Sequence, residues 1–138
     1  MRIAIVSATP AHVALGSGTY VASENLRMGL EALGHDVVTL APARPLGPRG
    51  YAWRRLLFNS RLRPADVSGC DLVCGFDLDG WTLGRRAPVP YVAYLHGVIA
   101  DEVRFERGLS RWSLSVQALA ERAGARRAAR VLGPSRYS

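Results

Sequence analysis

Two short stretches place small or polar residues directly after apolar runs, where an α/β chain collects its chemistry. Gly16-Ser17-Gly18-Thr19 closes the loop that follows Ile3-Ala4-Ile5-Val6 and stands just before a helical pattern. Backbone N–H groups of a glycine-rich turn and the positive end of a helix dipole both attract anions, so Gly16, Ser17, Gly18 and Thr19 are candidates for binding a phosphate or other substrate group. The same residues suit a tight turn into the helix with Ser17 or Thr19 as its cap, and spacing alone leaves both roles open. His96-Gly97 follows the apolar run Tyr91-Val92-Ala93-Tyr94-Leu95. An imidazole there donates or accepts a hydrogen bond near neutral pH, unless it merely bonds a loop carbonyl. His96 is the leading candidate for a catalytic side chain, with Gly97 beside it in the substrate-binding set.

Other titratable groups carry less. Asp77 and Asp79 alternate after a strand, but two carboxylates without further oxygen donors make a poor cation cage, and a turn-forming role is expected of them. Asp101 and Glu102 read as the acidic start of a helix. His35 follows a helix-capping glycine and is given no site role, and His12 lies in the loop after the first strand. Cys70 and Cys74 have no His or further Cys near them to complete a zinc site and read as buried free thiols. No metal site is expected. A dinucleotide fingerprint fails on two counts: Val21 stands where the third glycine belongs, and Thr39-Leu40-Ala41-Pro42 offers no carboxylate for a ribose. A nucleophile elbow, a Walker loop and a zincin motif are all missing from the sequence, which leaves hydrolase and kinase readings without a starting residue.

The elements that must position these residues alternate. Residues 2–7 form a short run rich in β-branched side chains, the pattern of a buried parallel strand. Leu26, Leu30 and Leu33 recur at helical spacing over residues 21–33, with Glu24, Arg27 and Glu31 on other faces. Their burial, about 1.5 to 3 kcal/mol each, outweighs the roughly 1 kcal/mol helix cost of Gly29. Gly34 stands where a left-handed cap stops that helix, and residues 36–40 supply a second strand. Residues 41–50, with Pro42, Pro45 and Pro48, form a loop, and a short helix is expected over 53–59. Residues 71–74 and 91–95 read as two strands lying side by side. Leu109, Trp112, Val116, Leu119, Ala120 and Ala123 trace one face of a long helix that ends in a solvated arginine-rich segment, and residues 130–133 begin one more strand. The expected architecture is α/β, a Rossmann-like doubly wound parallel sheet, with ligands at its carboxyl edge.

Composition sets the outer limits. The 138 residues, 49% of them hydrophobic, are enough for a single core. No apolar run approaches a signal-peptide core or a membrane span, so a cytoplasmic location is expected. All 18 basic residues are arginine and the net charge is +7. GC-rich coding accounts for that as readily as selection for charge, which speaks to partners and not to fold. Trp53-Arg54-Arg55-Leu56-Leu57-Phe58 is the segment where a basic amphipathic patch would touch the inner face of a membrane. Nucleic acid is not expected, because no basic motif of a known module is present.

In order, Met1-Arg2-Ile3-Ala4-Ile5-Val6, Gly16-Ser17-Gly18-Thr19-Tyr20, Leu30-Glu31-Ala32-Leu33-Gly34-His35-Asp36-Val37, Asp71-Leu72-Val73-Cys74-Gly75, Tyr94-Leu95-His96-Gly97 and Val131-Leu132-Gly133-Pro134-Ser135-Arg136-Tyr137 resemble the N-terminal domain of a retaining, GT-B, family 4 glycosyltransferase. The resemblance spans nearly the whole chain. It implies transfer of a sugar from a nucleotide-sugar co-substrate to an acceptor, with retention of configuration and no bound cofactor or metal, in a cleft between two Rossmann-like lobes. Residues 1–138 would be the acceptor-side lobe. The Gly16 to Thr19 loop would approach the donor pyrophosphate or the acceptor, and His96 would contact the donor sugar near its reacting carbon. The donor-binding C-terminal lobe is outside this sequence, so the chain alone is expected to be inactive and to need that lobe or a partner chain. The alternative is a stand-alone, non-catalytic α/β module that binds a phosphate-containing or carbohydrate ligand.

Overall fold

The computed structural model describes residues 1–9, 18–44, 46 and 50–133. Five parallel strands form one sheet: β1 (Arg2–Val6), β2 (Asp36–Leu40), β3 (Leu72–Phe76), β4 (Tyr91–Tyr94) and β5 (Arg130–Leu132), in the order β2-β1-β3-β4-β5. The chain moves outward from β1 first to one edge and then, from β3 on, to the other. This is the α/β, Rossmann-like doubly wound arrangement expected of short apolar runs separated by helices. The predicted neighbours β3 and β4 are paired, Val73 opposite Tyr91 and Phe76 opposite Tyr94.

Among the described residues five helices accompany the sheet: α1 (Gly18–Ala32), α2 (Tyr51–Arg61), α3 (Leu83–Arg86), α4 (Ile99–Glu102) and α5 (Gly108–Ala125). Short 3₁₀ turns occupy Pro64–Val67 and Val103–Phe105. Helix α1 lays Ala22, Leu26 and Leu30 against Ile5, Cys74 and Phe76. Leu33, predicted to share that stripe, is instead exposed, because the helix ends at Ala32 and Gly34, with φ 81°, turns the chain away. The outer face of α1 carries the predicted charges, with Arg27 bridging Glu24 at 2.9 Å and Glu31 at 2.7 Å. At such exposure solvent screens each pair, and neither adds much to the helix.

A second cluster joins Ala4, Val6, Val73, Tyr91 and Ala93 to Leu62, Val67 and Leu83, with Phe58 of α2 packed against it. A third gathers Leu78, Ile99 and Ala120 beneath α5. Helix α5 departs from its predicted packing. The side chains it buries are Gln117, Ala120 and Glu121, together with Gly124, while Leu109, Trp112 and Leu119 face out. Of the apolar stripe read from the sequence, Ala120 is buried and Val116 and Ala123 are half-buried, while Leu109, Trp112 and Leu119 lie to one side of the packed face. Cys70 and Cys74 are buried free thiols, and burial pushes the Cys74 thiol up to about 12.

Candidate functional site

All five strands run the same way, so their carboxyl ends share one edge, where such sheets bind their ligands. The first turn of α1 brings Gly18 and Thr19 to this edge, and the segment after β4 brings His96 and Gly97. The juxtaposition is close: a Cβ built on Gly18 would lie 3.1 Å from His96 Nε2. The two predicted site elements therefore meet across 78 positions of sequence, and a side chain at position 18 would require the imidazole to give by a few tenths of an ångström. Gly16, Ser17 and His12 lie outside the described residues. His35 stands between α1 and β2, at the opposite edge of the sheet.

A cleft of about 380 Å³ opens between these elements, bounded by Thr19, Tyr51, Arg55, Asp77, His96 and Gly97, with Glu102 and Gln117 also on its wall. Its floor is an ion network that the sequence reading did not anticipate. Arg55 donates from Nε to Asp79 Oδ1 and from Nη2 to Asp79 Oδ2, both at 2.9 Å, and lies 3.6 Å from Asp77 Oδ2. Asn59, one turn further along α2, donates to Asp79 Oδ1 at 2.8 Å and accepts from the Gly80 N–H at 2.6 Å. The Ala8 N–H, just past β1, donates to Asp79 Oδ2 at 2.7 Å. One buried carboxylate thus ties the end of β1, the loop after β3 and helix α2 together.

Asp77 and Asp79 do sit in a turn, and Asp77 has the left-handed φ of 54° that Asp tolerates. Turn formation is nevertheless the smaller part of what they do. Asp79 is wholly buried and anchors Arg55, while Asp77 accepts the His96 N–H at 2.8 Å and so fixes the backbone that carries the imidazole. Arg55, expected in an exposed basic patch, is instead 6% exposed, which removes it from any membrane-facing surface. The sequence offered a signal: Arg55 and Asn59 stand at i and i+4, one face of a helix, with paired acids waiting after the next strand. Burial acts against the Arg55 charge. The charge and hydrogen bonds of Asp79, helped by Tyr51 and Asp77, more than offset it, so the guanidinium pKa is raised. Its Cζ also lies 5.9 Å from the Tyr51 ring centroid, within cation–π range.

The electrostatics constrain the ligand. Among the described residues on the cleft wall, the one guanidinium is already paired with two carboxylates, and Glu102 adds a third acid. Glu102 Oε1 stands 3.5 Å from where a Gly97 Cβ would be, an ordinary van der Waals distance. What remains is a set of hydrogen-bonding groups, from Thr19, Tyr51, His96 and Gln117, around an aromatic face. Such a wall suits a polyhydroxylated ligand better than a bare phosphate. Among the described residues no group of three or more His, Cys, Asp or Glu side chains is arranged to hold a metal ion.

Fold and cleft together define a Rossmann-like α/β domain with a polar pocket at the carboxyl edge of its sheet. No protein-family model, curated protein or solved structure matches the chain.

Proposed function

We propose that this chain is the acceptor-side lobe of a retaining glycosyltransferase, in which His96 and the first turn of α1 form one half of a sugar-transfer cleft. The observation that carries the reading is the contact between Gly18 and His96 at the carboxyl edge of a parallel sheet, with Tyr51 and Gln117 on the same wall. A hydroxyl-rich acceptor finds there donors, acceptors and a ring to stack on, without a cation competing for a phosphate. The N-terminal end of α1 contributes a positive dipole end to the same rim, where a pyrophosphate oxygen held by a second lobe would arrive. Transfer itself needs that second lobe, or a partner chain bearing it, because stabilising the leaving diphosphate and excluding water both require a closed cleft. The nucleotide-sugar is a co-substrate, and no resident cofactor is invoked.

Calorimetry tests the proposal. The chain should give saturable heats with oligosaccharide acceptors, weak or absent heats with nucleotide-sugars, and lose the former on His96→Ala with its thermal unfolding unchanged. Tight nucleotide-sugar binding by the chain alone, or no response to any saccharide, overturns it. Tight ligand binding without transfer when a donor-binding lobe is supplied points instead to a stand-alone binding module.

A further inference from the structure

The wall of the His96 cleft holds two polar side chains that the rest of the chain leaves unused. Gln117 of α5 is 3% exposed, yet among the described residues its amide has no hydrogen-bond partner. The residue lines the cleft, so its donor and acceptor are open to a ligand there. Glu102, the last residue of α4, lines the same cleft and has no ion-pair partner among the described residues. Its neighbour Asp101, by contrast, is paired with Arg104 at 3.7 Å. The remaining acids of the site are engaged. Arg55 holds Asp79, Asp77 accepts the His96 N–H, and Glu121, behind Ile99, accepts the Ile99 N–H.

The sign of the charge in the cleft is opposite to that of the chain. On its wall and floor the Arg55 guanidinium faces the carboxylates of Asp77, Asp79 and Glu102, whereas the whole chain has a net charge of +7. A cationic group repelled by the molecule at large is therefore attracted at this one place. A metal ion does not answer the description, because among the described residues no three His, Cys, Asp or Glu side chains are arranged to hold one. At about 380 Å³ the cleft stands near the small end of the range for ligand pockets, which suits a small polar molecule. An ammonium carried on a hydroxylated ring meets both unused groups: the charge finds Glu102, and a hydroxyl finds the Gln117 amide.

We infer that the saccharide taken by this cleft is an amino sugar, its ammonium paired with the Glu102 carboxylate and a hydroxyl held by the Gln117 amide. Glu102 is then the residue that sets specificity, separating an amine from a hydroxyl at one position of the ring. The inference rests on the reading of the cleft as an acceptor site and names the class of acceptor.

The test is calorimetry in a mildly acidic buffer that keeps the amine protonated. It sets the β-1,4-linked glucosamine disaccharide against cellobiose, which carries hydroxyls in place of the amines. The parent chain should bind the amino disaccharide roughly three- to fivefold more tightly, the range of a partly solvated ion pair. Glu102→Gln should make the two affinities equal, and because the position is exposed, circular dichroism should report an unchanged fold. Glu31→Gln, on the outer face of α1, removes the same charge elsewhere and should keep the preference of the parent. Gln117→Leu should weaken both disaccharides roughly fivefold and preserve their ratio. Equal affinities in the parent chain, or a preference that survives Glu102→Gln, overturn the inference while the acceptor-lobe reading stands. Unchanged affinities in Gln117→Leu overturn the hydroxyl contact. No heat from either disaccharide removes inference and reading together. A preference that Glu102→Gln abolishes, without transfer when a donor-binding lobe is supplied, upholds the amine assignment and removes the glycosyl-transfer reading alone.

Discussion

Arg55 grips both carboxylate oxygens of Asp79, at 2.9 Å each, across 24 positions of sequence and with both side chains withdrawn from water. The pair joins α2 to the turn after β3, and Asn59 and the Ala8 N–H complete the coordination of the carboxylate. Charge-assisted bidentate geometry of this kind fixes orientation as well as distance. The turn it holds includes Asp77, which in turn holds the His96 backbone. Positioning of the imidazole is thus traced back, through one loop, to a buried ion pair.

Removing one partner of such a pair leaves the other charged and without compensation. Arg55→Met should lower unfolding free energy by about 3–5 kcal/mol, with Arg54→Met, its exposed neighbour, changing it by less than about 0.5 kcal/mol. Urea denaturation of the two variants decides the matter. Equal and small effects at both positions contradict the buried pair.

Two glycines separate backbone freedom from space. A Cβ on Gly75 would fall on the Asp79 carbonyl oxygen and lie 2.7 Å from the Tyr91 hydroxyl oxygen, whereas one on Gly29 would meet nothing within 4 Å. Gly75→Ala should therefore destabilise by about 1–3 kcal/mol or more, through forced displacement of a buried turn. Gly29→Ala, on the open face of α1, should stabilise by up to about 1 kcal/mol. Thermal midpoints moving in opposite directions are the expected result, and a shared direction would count against the packing at Gly75.

The parts of this fold that could be read in the sequence are those that local pattern determines. The run Asp36-Val37-Val38-Thr39-Leu40 is bounded by a capping glycine and a proline, and β2 has those limits. The convergence of Gly18 and His96 was also legible, because parallel strands oblige the loops after them to share an edge. The ion network was not. Whether Arg55 lies in water or on Asp79 depends on a contact 24 residues away, and an arginine in an amphipathic helix reads as a surface residue until that partner is placed. Helix α5 shows the complementary failure. Periodicity located its apolar stripe at Leu109, Trp112, Val116, Leu119, Ala120 and Ala123 but carries no information on what covers it: Ala120 is buried, Leu109, Trp112 and Leu119 are exposed, and the helix packs also through Gln117, Glu121 and Gly124.

Gly18 and His96 can be examined directly. An alanine methyl at position 18 would stand 3.1 Å from Nε2, closer than an unstrained contact, but the imidazole is exposed and free to give by a few tenths of an ångström. Gly18→Ala should change stability by less than about 1 kcal/mol while shifting the His96 ring resonances and weakening saccharide binding. Ring signals identical to those of the parent chain would show that the two residues do not meet.

Glu121 gives the molecule a pH dependence of defined sign. Its Oε2 accepts the Ile99 N–H at 3.1 Å, while Oε1 is buried with no hydrogen-bond partner. Burial is the main cause that pushes the carboxyl up to about 7 from an ordinary 4.5; the Asp77 and Glu102 charges push the same way, and the Ile99 N–H and Arg55 oppose them. A group whose pKa is higher in the folded than in the unfolded chain binds its proton more tightly when folded. Its contribution to stability is therefore complete below about 4.5 and is lost as pH rises through about 7. Glu121→Gln keeps an acceptor for Ile99 and removes the titration, so the variant should match the parent near the acid end of that window and exceed it in thermal midpoint above neutrality. Unfolding scans of both proteins across the window give the difference directly, free of the other carboxylates and histidines they share. A parent chain that gains stability relative to Glu121→Gln as pH rises would reverse the sign and place the Glu121 carboxyl in a solvated, charge-favouring environment.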